Sequence, residues 1–357
     1  MTRSRIAVVL AVLAPSLMGG CGPATAKNAH PAIVPSQWVD QPVNFDAGGV
    51  TIFATYRHPL VQTKPMPAAL VIAGSGVTDG DGNTPFDPGP VNVLQTVADW
   101  LSTDGVVSLR YDKLGSGQTG LAGYAANPGA IGIGPFQEEA TAALSFLARQ
   151  SGVDRGRVAV IGHSEGALFA LLLASGTPAQ VPPIHALALL EPLSLRYLDL
   201  ITTQVDAQAD AAQRAGRITL EEAGRIKTAL ANTIEELRAT GTVPSNLPPG
   251  LPKSLNPTTA LFLSQADRYD PGQLATQLPK HMPVLITCSN TDVQVTCTEV
   301  DNVIAGLKQA AASIDFVRLT GVDHVLKQDP SNTNYAKPVP FSPQLRDALR
   351  AFIQRNL

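Results

Sequence analysis

A serine flanked by glycines lies near the middle of the chain, between two apolar segments. Val158 to Ile161 are apolar and mostly β-branched, which predicts a buried strand. Gly162-His-Ser-Glu-Gly166 follows, and the next residues are typical of a buried helix. A strand that turns sharply into a helix leaves the central residue at the apex in a strained backbone conformation. We therefore predict that Ser164 is a catalytic nucleophile; the alternative is a glycine-rich turn of a Rossmann-like sheet that happens to carry a serine.

A serine hydroxyl becomes a good nucleophile only when a base accepts its proton, and that base needs an orienting partner. Among the six histidines, only His324 lies in a loop that follows the last predicted strand of the sheet. Asp292 comes just past the preceding predicted strand, at the same edge. We predict His324 as the general base and Asp292 as its carboxylate partner. The competing acids are Asp301, on a predicted helix, and Asp323, next to the base; both are interpreted as solvated residues.

The other five histidines receive no catalytic role. His163 lies within the turn that carries the serine. Its side chain is expected to point away from the site at which the apex residue Ser164 would react. His185 is interpreted as a core or strand-end residue. The remaining three lie in predicted connections or in the N-terminal segment: His30, His58 and His281.

Strand and helix patterns alternate around the serine with short connections, which predicts an α/β fold with a mostly parallel sheet and helices on both faces. Loose alternation early in the chain predicts antiparallel strands there. Between residues 196 and 279 the pattern changes to polar, alanine-rich helices, one with a capping box at Thr219 and Glu222. We predict an inserted helical cap at 196–279, within a core formed by 41–195 and 280–357.

The N-terminus has the features of an export signal. A basic start and a short apolar run precede Leu17-Met-Gly-Gly-Cys21, which resembles a bacterial lipobox. We predict a lipoprotein signal peptide at 1–21, a tether at 22–40 and acylation of Cys21. The protein would then be anchored on the extracytoplasmic face of the cell membrane. The alternative is an ordinary secretory peptide, which would release the protein.

Two further cysteines, Cys288 and Cys297, flank the predicted acid Asp292. An even pair in an exported protein is best interpreted as a disulfide, with two reduced buried thiols as the alternative. A disulfide here would clamp the loop that carries the acid.

Composition and motifs exclude several other classes of function. A net charge of −3 does not suit a surface for nucleic acid, and 44% hydrophobic residues are ample for a large core. Asp79, Asp81 and Asn83 resemble the start of a calcium loop, but Gly80 and Pro85 break its spacing. No P-loop, zinc-type spacing or dinucleotide fingerprint is found. We predict neither a metal nor a cofactor.

The order Ser164, Asp292, His324 is that of the α/β-hydrolase superfamily, and the chain resembles its serine hydrolases from about residue 45 to 357. Four segments resemble the branch related to serine aminopeptidases and acyl-thioester hydrolases: Ala73-Gly-Ser-Gly-Val-Thr-Asp-Gly-Asp-Gly-Asn83, Arg110-Tyr-Asp-Lys-Leu-Gly-Ser-Gly117, Gly162-His-Ser-Glu-Gly166 and Gly321-Val-Asp-His-Val-Leu-Lys327. The resemblance implies an acyl-enzyme mechanism, and many members of the branch are esterases. It says little about the substrate.

The same resemblance implies an oxyanion hole. The backbone N–H of Glu165 would be one donor, and the loop after an early strand would supply the other. Ala73-Gly-Ser75 occupies the place of the familiar His-Gly-x, so Ser75 is predicted, with Gly76 as the alternative. Arg110 and Asp112 are interpreted as a strand-end ion pair that holds the neighbouring loop.

The sequence thus predicts a serine hydrolase of small-molecule carboxylic esters or thioesters. One alternative is an aminopeptidase-type peptidase, although the cap has no clear acidic cluster to hold a substrate amine. The other is a surface lipoprotein that keeps the scaffold only to bind a lipid or a cell-wall fragment.

Overall fold

The computed structural model describes residues 38–176, 182–332 and 334–357. Cys21, His30, the signal peptide and most of the tether segment lie outside the described residues. β1 begins at Trp38, inside the segment predicted as tether.

The described chain forms one eight-stranded sheet with helices packed on it. The strands are β1 (Trp38–Ala47), β2 (Val50–Pro59), β3 (Met66–Ile72), β4 (Val107–Tyr111), β5 (Val153–His163), β6 (Ala186–Leu190), β7 (Pro283–Ser289) and β8 (Ser313–Leu319). The helices are α1 (Val93–Thr103), α2 (Ile133–Arg149), α3 (Glu165–Ser175), α4 (Tyr197–Arg214), α5 (Leu220–Thr240), α6 (Ala260–Ala266), α7 (Pro271–Ala275), α8 (Cys297–Gln309) and α9 (Pro343–Asn356). None of the described helices has the length and apolar character needed to cross a bilayer.

The sheet order is β1-β2-β4-β3-β5-β6-β7-β8. β1 and β2 pair antiparallel, β2 is antiparallel to β4, and all later neighbours are parallel. Parallel strands end at the same edge, so the loops after β5, β7 and β8 open on one side of the molecule. The predicted nucleophile, acid and base lie in these loops.

The apolar strands have a core on each face, as strands buried on both sides require. On β3, Leu70 and Ile72 point to one face and contact the cluster built on α2, α3 and α8. Val71 points to the opposite face, against α1 and α9. Helices on both faces of a mostly parallel sheet confirm the predicted fold class.

The helices α4 to α7 lie between β6 and β7, in the segment predicted as a cap. α5 has the predicted capping box of Thr219 and Glu222, and its C-cap, Gly241, has a positive φ of 72°. Helices α4, α5 and α6 share a separate apolar cluster that includes Leu198 and Leu230. α7 differs, because Leu274 and its neighbours belong to the main core beside α3 and α8.

Candidate active site

Ser164 lies at the apex of the turn from β5 into α3. Its backbone has φ 53° and ψ −120°, a region that a residue with a side chain rarely occupies. The surrounding loops hold this conformation. The Ser164 N–H donates to the Leu190 carbonyl (3.0 Å), and the Ser164 carbonyl accepts from the N–H of Leu193 (3.0 Å). Strain maintained in this way is characteristic of functional positions.

The two glycines beside Ser164 are required by close backbone approach. A Cβ on Gly162 would lie 2.3 Å from the Gly166 carbonyl oxygen, and one on Gly166 would lie 2.2 Å from that of Ile72. Both contacts are with backbone, which cannot rotate aside as a side chain can. Only glycine therefore fits at these positions.

We expect Gly162→Ala to lower the free energy of unfolding by about 3 kcal/mol, at the upper end for overpacked sites. Gly224→Ala is the matched control, because Gly224 lies within helix α5 with no atom within 4 Å of the added methyl. The free energy of unfolding of Gly224→Ala should rise by about 1 kcal/mol, because alanine has a higher helix propensity than glycine. Urea unfolding of both variants measures the difference. Equal stability of the two would contradict the steric account.

The three predicted catalytic side chains form one chain of hydrogen bonds. His324 Nε2 lies 2.9 Å from Ser164 Oγ, and His324 Nδ1 lies 2.7 Å from Asp292 Oδ2. The other Asp292 oxygen accepts the backbone N–H groups of Gln294 (2.7 Å) and Val295 (3.2 Å). The Asp292 carboxylate is therefore fixed by its own loop and has one oxygen left for the imidazole.

A cavity of about 540 Å³ opens on this chain of hydrogen bonds. Its lining includes Ser164, His324 and the loop residues Ser75 and Gly76. Most of the wall is apolar and comes from the loops after β3 and β4 and from helices α2, α4 and α6. Another groove, of about 690 Å³, lies between α4 and α5 and contains none of the three catalytic candidates.

No family model matches the sequence, and no curated protein matches it. Solved structures do resemble this one. Est1E from Butyrivibrio proteoclasticus is 15% identical with a TM-score of 0.52, covering 88% of this chain and 98% of that chain. Acetyl xylan esterase from Paenibacillus sp. R4 is 15% identical (TM-score 0.53; 92% and 87% covered). An esterase from Pyrococcus furiosus is 14% identical (TM-score 0.53; 94% and 97% covered).

The chain has the α/β-hydrolase fold. Identities this low establish the fold, and the activity has to be argued from the site itself. Within this fold the nucleophile is exposed on the turn after a central strand, and the acid and base follow later in the chain. Ser164 after β5, Asp292 after β7 and His324 after β8 occupy those places.

The charges around His324 suit a base that accepts a proton from serine. Burial disfavours the imidazolium, but the Asp292 carboxylate outweighs it and raises the pKa of His324 above its ordinary value. Burial would raise the pKa of Asp292, yet the imidazole and the backbone donors lower it, so Asp292 is ionised. With Nδ1–H donated to Asp292, the lone pair on Nε2 faces the serine hydroxyl.

The structure corrects the expectation for His163. Its side chain points toward the site, with Nε2 2.7 Å from the backbone carbonyl of His324, and the two rings are 5.2 Å apart. Burial, together with the nearby imidazole, lowers the pKa of His163 to about 4, so the ring is neutral. A carbonyl only accepts, so His163 donates from Nε2 and holds the backbone of the base. No sequence signal identifies this contact, which joins two loops distant in the chain.

Glu191 is a second residue that the sequence analysis missed. It follows β6 with φ 44° and is fully buried. Its oxygens accept from Thr287 Oγ1 (3.2 Å) and Ser289 N (2.9 Å). Burial and the nearby Asp292 carboxylate raise the pKa of Glu191 well above its ordinary value. An acidic residue at the end of an apolar strand is the signal that could have drawn attention to it.

The predicted oxyanion donors lie beside Ser164. Glu165 is the first residue of α3, so its N–H has no partner within the helix. Ser75 follows β3 and lines the same cavity as Gly76, Ser164 and Glu165. Both residues therefore line the same cavity as the nucleophile, and their role as backbone donors to an oxyanion stays a prediction.

Cys288, in β7, and Cys297, the first residue of α8, are joined by a disulfide with a Cα–Cα distance of 5.1 Å. The bridge spans the loop that carries Asp292. It connects both ends of that loop to the core.

The predicted ion pair between Arg110 and Asp112 is wrong. The Arg110 guanidinium instead contacts Asp81 (2.8 Å) and Asp40 (3.2 Å), which reach it from the β3–α1 loop and from β1. The Asp112 carboxylate accepts the backbone N–H of Gly80 at 2.7 Å. Asp112 therefore connects two loops through the backbone rather than neutralising the arginine.

Proposed function

We propose that the protein is a serine hydrolase that cleaves carboxylic esters, and thioesters as alternative acyl donors, through an acyl-enzyme on Ser164. The observation that carries this proposal is the continuous contact Ser164–His324–Asp292 at the wall of an apolar cavity. A binding protein would gain nothing from this alignment.

The reaction begins when Ser164 Oγ attacks the carbonyl carbon and its proton passes to His324 Nε2. Asp292 stabilises the imidazolium. The N–H groups of Glu165 and Ser75 stabilise the carbonyl oxygen as it becomes negative. The imidazolium then gives its proton to the leaving alcohol or thiol. Water, activated by the same imidazole, hydrolyses the acyl-enzyme and restores the serine.

The lining of the cavity favours a substrate with an uncharged, apolar acyl group. Besides the catalytic histidine, the ionisable groups that can carry charge in the lining near neutral pH are Lys113 and Glu165. They pair with each other at 3.0 Å, and each side chain is 3% exposed. No free carboxylate in the described lining is available for a substrate amine, and no free cation for a phosphorylated carrier. This disfavours the aminopeptidase alternative.

A graded panel of p-nitrophenyl esters tests the proposal, with matched thioesters and aminoacyl p-nitroanilides as further arms. We expect kcat/KM to rise about fourfold per added acyl methylene, since each buried CH₂ contributes about 0.8 kcal/mol, until the chain fills the cavity. Preference for the aminoacyl amides would favour a peptidase. Absence of turnover with every substrate would favour a non-catalytic binding protein.

We also propose that Cys21 carries a lipid anchor and that the enzyme acts on the extracytoplasmic face of the membrane. The support is the sequence Leu17-Met-Gly-Gly-Cys21 after a basic, then apolar, N-terminus. We expect Cys21→Ala to abolish incorporation of labelled palmitate and to leave the protein out of the detergent phase of a Triton X-114 partition. Equal labelling of both forms would contradict the anchor.

A further inference from the structure

Lys113 is a buried lysine that joins the two halves of the predicted oxyanion hole. It lies in the loop after β4 and is 2% exposed. Its Nζ donates to the backbone carbonyl of Gly74 and to Glu165 Oε1 (3.0 Å). Gly74 directly precedes the predicted donor Ser75, and Glu165 is the other predicted donor. One ammonium group therefore holds both segments.

The contact with the Gly74 carbonyl sets the direction of the next N–H. The described chain has no cis peptide bond, so the Gly74 C=O and the Ser75 N–H point to opposite sides of one planar peptide. Because Lys113 holds the carbonyl on its own side, the N–H is directed away from Lys113. A Cβ on Gly74 would lie 3.2 Å from Ser164 Cβ, so this peptide is next to the nucleophile.

Both carboxylate oxygens of Glu165 accept hydrogen bonds. Oε1 accepts from Lys113, and Oε2 accepts the hydroxyl of Tyr197, in α4, at 2.7 Å. Burial, reinforced by the Glu165 carboxylate, raises the pKa of Tyr197 well above its ordinary value, so the hydroxyl keeps its proton and donates. These contacts fix the first residue of α3, whose backbone N–H is the other donor.

The competing carboxyl group near Lys113 is Glu139. It accepts the backbone N–H of Leu114 at 2.7 Å, and burial raises its pKa to about 8. Glu139 is therefore mostly neutral at pH 7, and Glu165 supplies the countercharge of Lys113. The lysine is held between one carboxylate and one peptide carbonyl.

We propose that Lys113, paired with Glu165, is a positioning residue that orients the Gly74–Ser75 peptide so that both backbone donors converge on the oxyanion. This inference rests on the proposed serine hydrolase function. Without the ammonium, the peptide is free to rotate and present its carbonyl to the developing negative charge. Loss of one oxyanion donor typically lowers kcat by 10²–10³-fold, so we expect a decrease of about that size with little change in KM.

The test uses a double variant, Lys113→Met with Glu165→Gln. Removing the lysine alone would leave a buried carboxylate without a partner and would endanger the fold, whereas removing both charges does not. Lys227→Met with Asp210→Asn is the control, because it removes another lysine–carboxylate pair (2.7 Å), which is partly exposed and lies on the cap segment. The full-length proteins are compared at pH 7.

The decisive probe is a trifluoromethyl ketone that carries the preferred acyl chain. Ser164 Oγ adds to its carbonyl carbon, the serine proton passes to His324 Nε2, and the C=O π pair becomes an oxyanion in the hole. We expect Ki for this ketone to rise about 10²–10³-fold in the double variant, in step with the loss of kcat. The KM and the Ki of the matched secondary alcohol should stay within about twofold of wild type, and the pH midpoint of kcat/KM should not move.

Four results separate the possibilities. A folded double variant with unchanged kcat and ketone Ki overturns the inference, and so does an equal rise in the Ki values of ketone and alcohol, which would mean a role in pocket shape. If the double variant does not fold, Lys113→Arg keeps the charge opposite Glu165 but displaces the donor from Gly74. In Lys113→Arg, kcat should then fall and the ketone Ki should rise together. Unchanged values would refute the positioning role. A wild type without turnover or ketone inhibition refutes the proposed function instead.

Discussion

Replacing Ser164 by alanine is expected to lower kcat for ester hydrolysis by about 10⁶-fold, the loss seen when the nucleophile of a comparable triad is removed. The reason is that no other hydroxyl in the described residues contacts His324 Nε2. The oxyanion donors and the cavity remain, so hydrolysis about 10³–10⁴-fold faster than in water should persist. Steady-state kinetics with the best ester of the graded panel measures the change.

The stability of Ser164→Ala serves as the control for this experiment. Among the described residues, the Oγ makes its hydrogen bond with His324 only, and the backbone contacts of the turn do not depend on the side chain. We therefore expect the free energy of unfolding, measured with urea, to stay within about 1 kcal/mol of wild type. A folded variant that keeps wild-type kcat would show that another group is the nucleophile.

Replacing Asp292 by asparagine is expected to lower kcat by about 10⁴-fold. An asparagine amide at this position can donate to Nδ1 of His324, which would place the proton on Nε2 and remove the lone pair that faces Ser164. Asp301→Asn is the matched control, since Asp301 is an exposed residue of α8 within the same part of the chain. Its kcat should stay within about twofold of wild type. Comparable losses in the two variants would rule out Asp292 as the acid.

The pH profile gives the same prediction a second readout. The base works as the neutral imidazole, so kcat/KM should rise with pH through the pKa of His324. Asp292 raises that pKa above 6.5, and the wild-type midpoint should lie above 6.5 accordingly. Asp292→Asn removes the negative charge, so its residual activity should rise at a lower pH. A midpoint that does not move would contradict the proposed contact.

The sequence predicted the features that local patterns determine. The apolar run before Gly162 and the glycines around Ser164 determine the strand, turn and helix, because the steric limits act within a few residues. The order of the strands then placed Asp292 and His324 at one edge of the sheet. The capping box of Thr219 was also predictable, since it depends on residues three apart.

The residues that were missed act across loops far apart in the chain. His163 contacts the backbone of His324, and Lys113 contacts Gly74 and Glu165. Neither their residue types nor their spacing indicates which distant carbonyl they reach. Arg110 illustrates the same limit. The predicted partner was Asp112, two residues away, but the carboxylates that contact Arg110 belong to other segments.

Helix α7, inside the predicted cap segment, shows the same limit of sequence analysis. The segment 196–279 was delimited by a change in composition, which cannot distinguish a helix that packs on the core from one that covers it. α7 packs closely on α8: a Cβ on Gly306 would lie 2.0 Å from the Gly272 carbonyl oxygen. This close approach and the place of Leu274 in the main core show that α7 is joined to the core.

Covalent labelling of Ser164 by a fluorophosphonate tests the central claim most directly, because an unactivated serine does not react with this probe. We predict one adduct per chain, located on the peptide that contains Ser164, absent from Ser164→Ala and formed much more slowly in His324→Ala. No adduct on the folded wild-type protein, or an adduct on another residue, would contradict an activated nucleophile at Ser164.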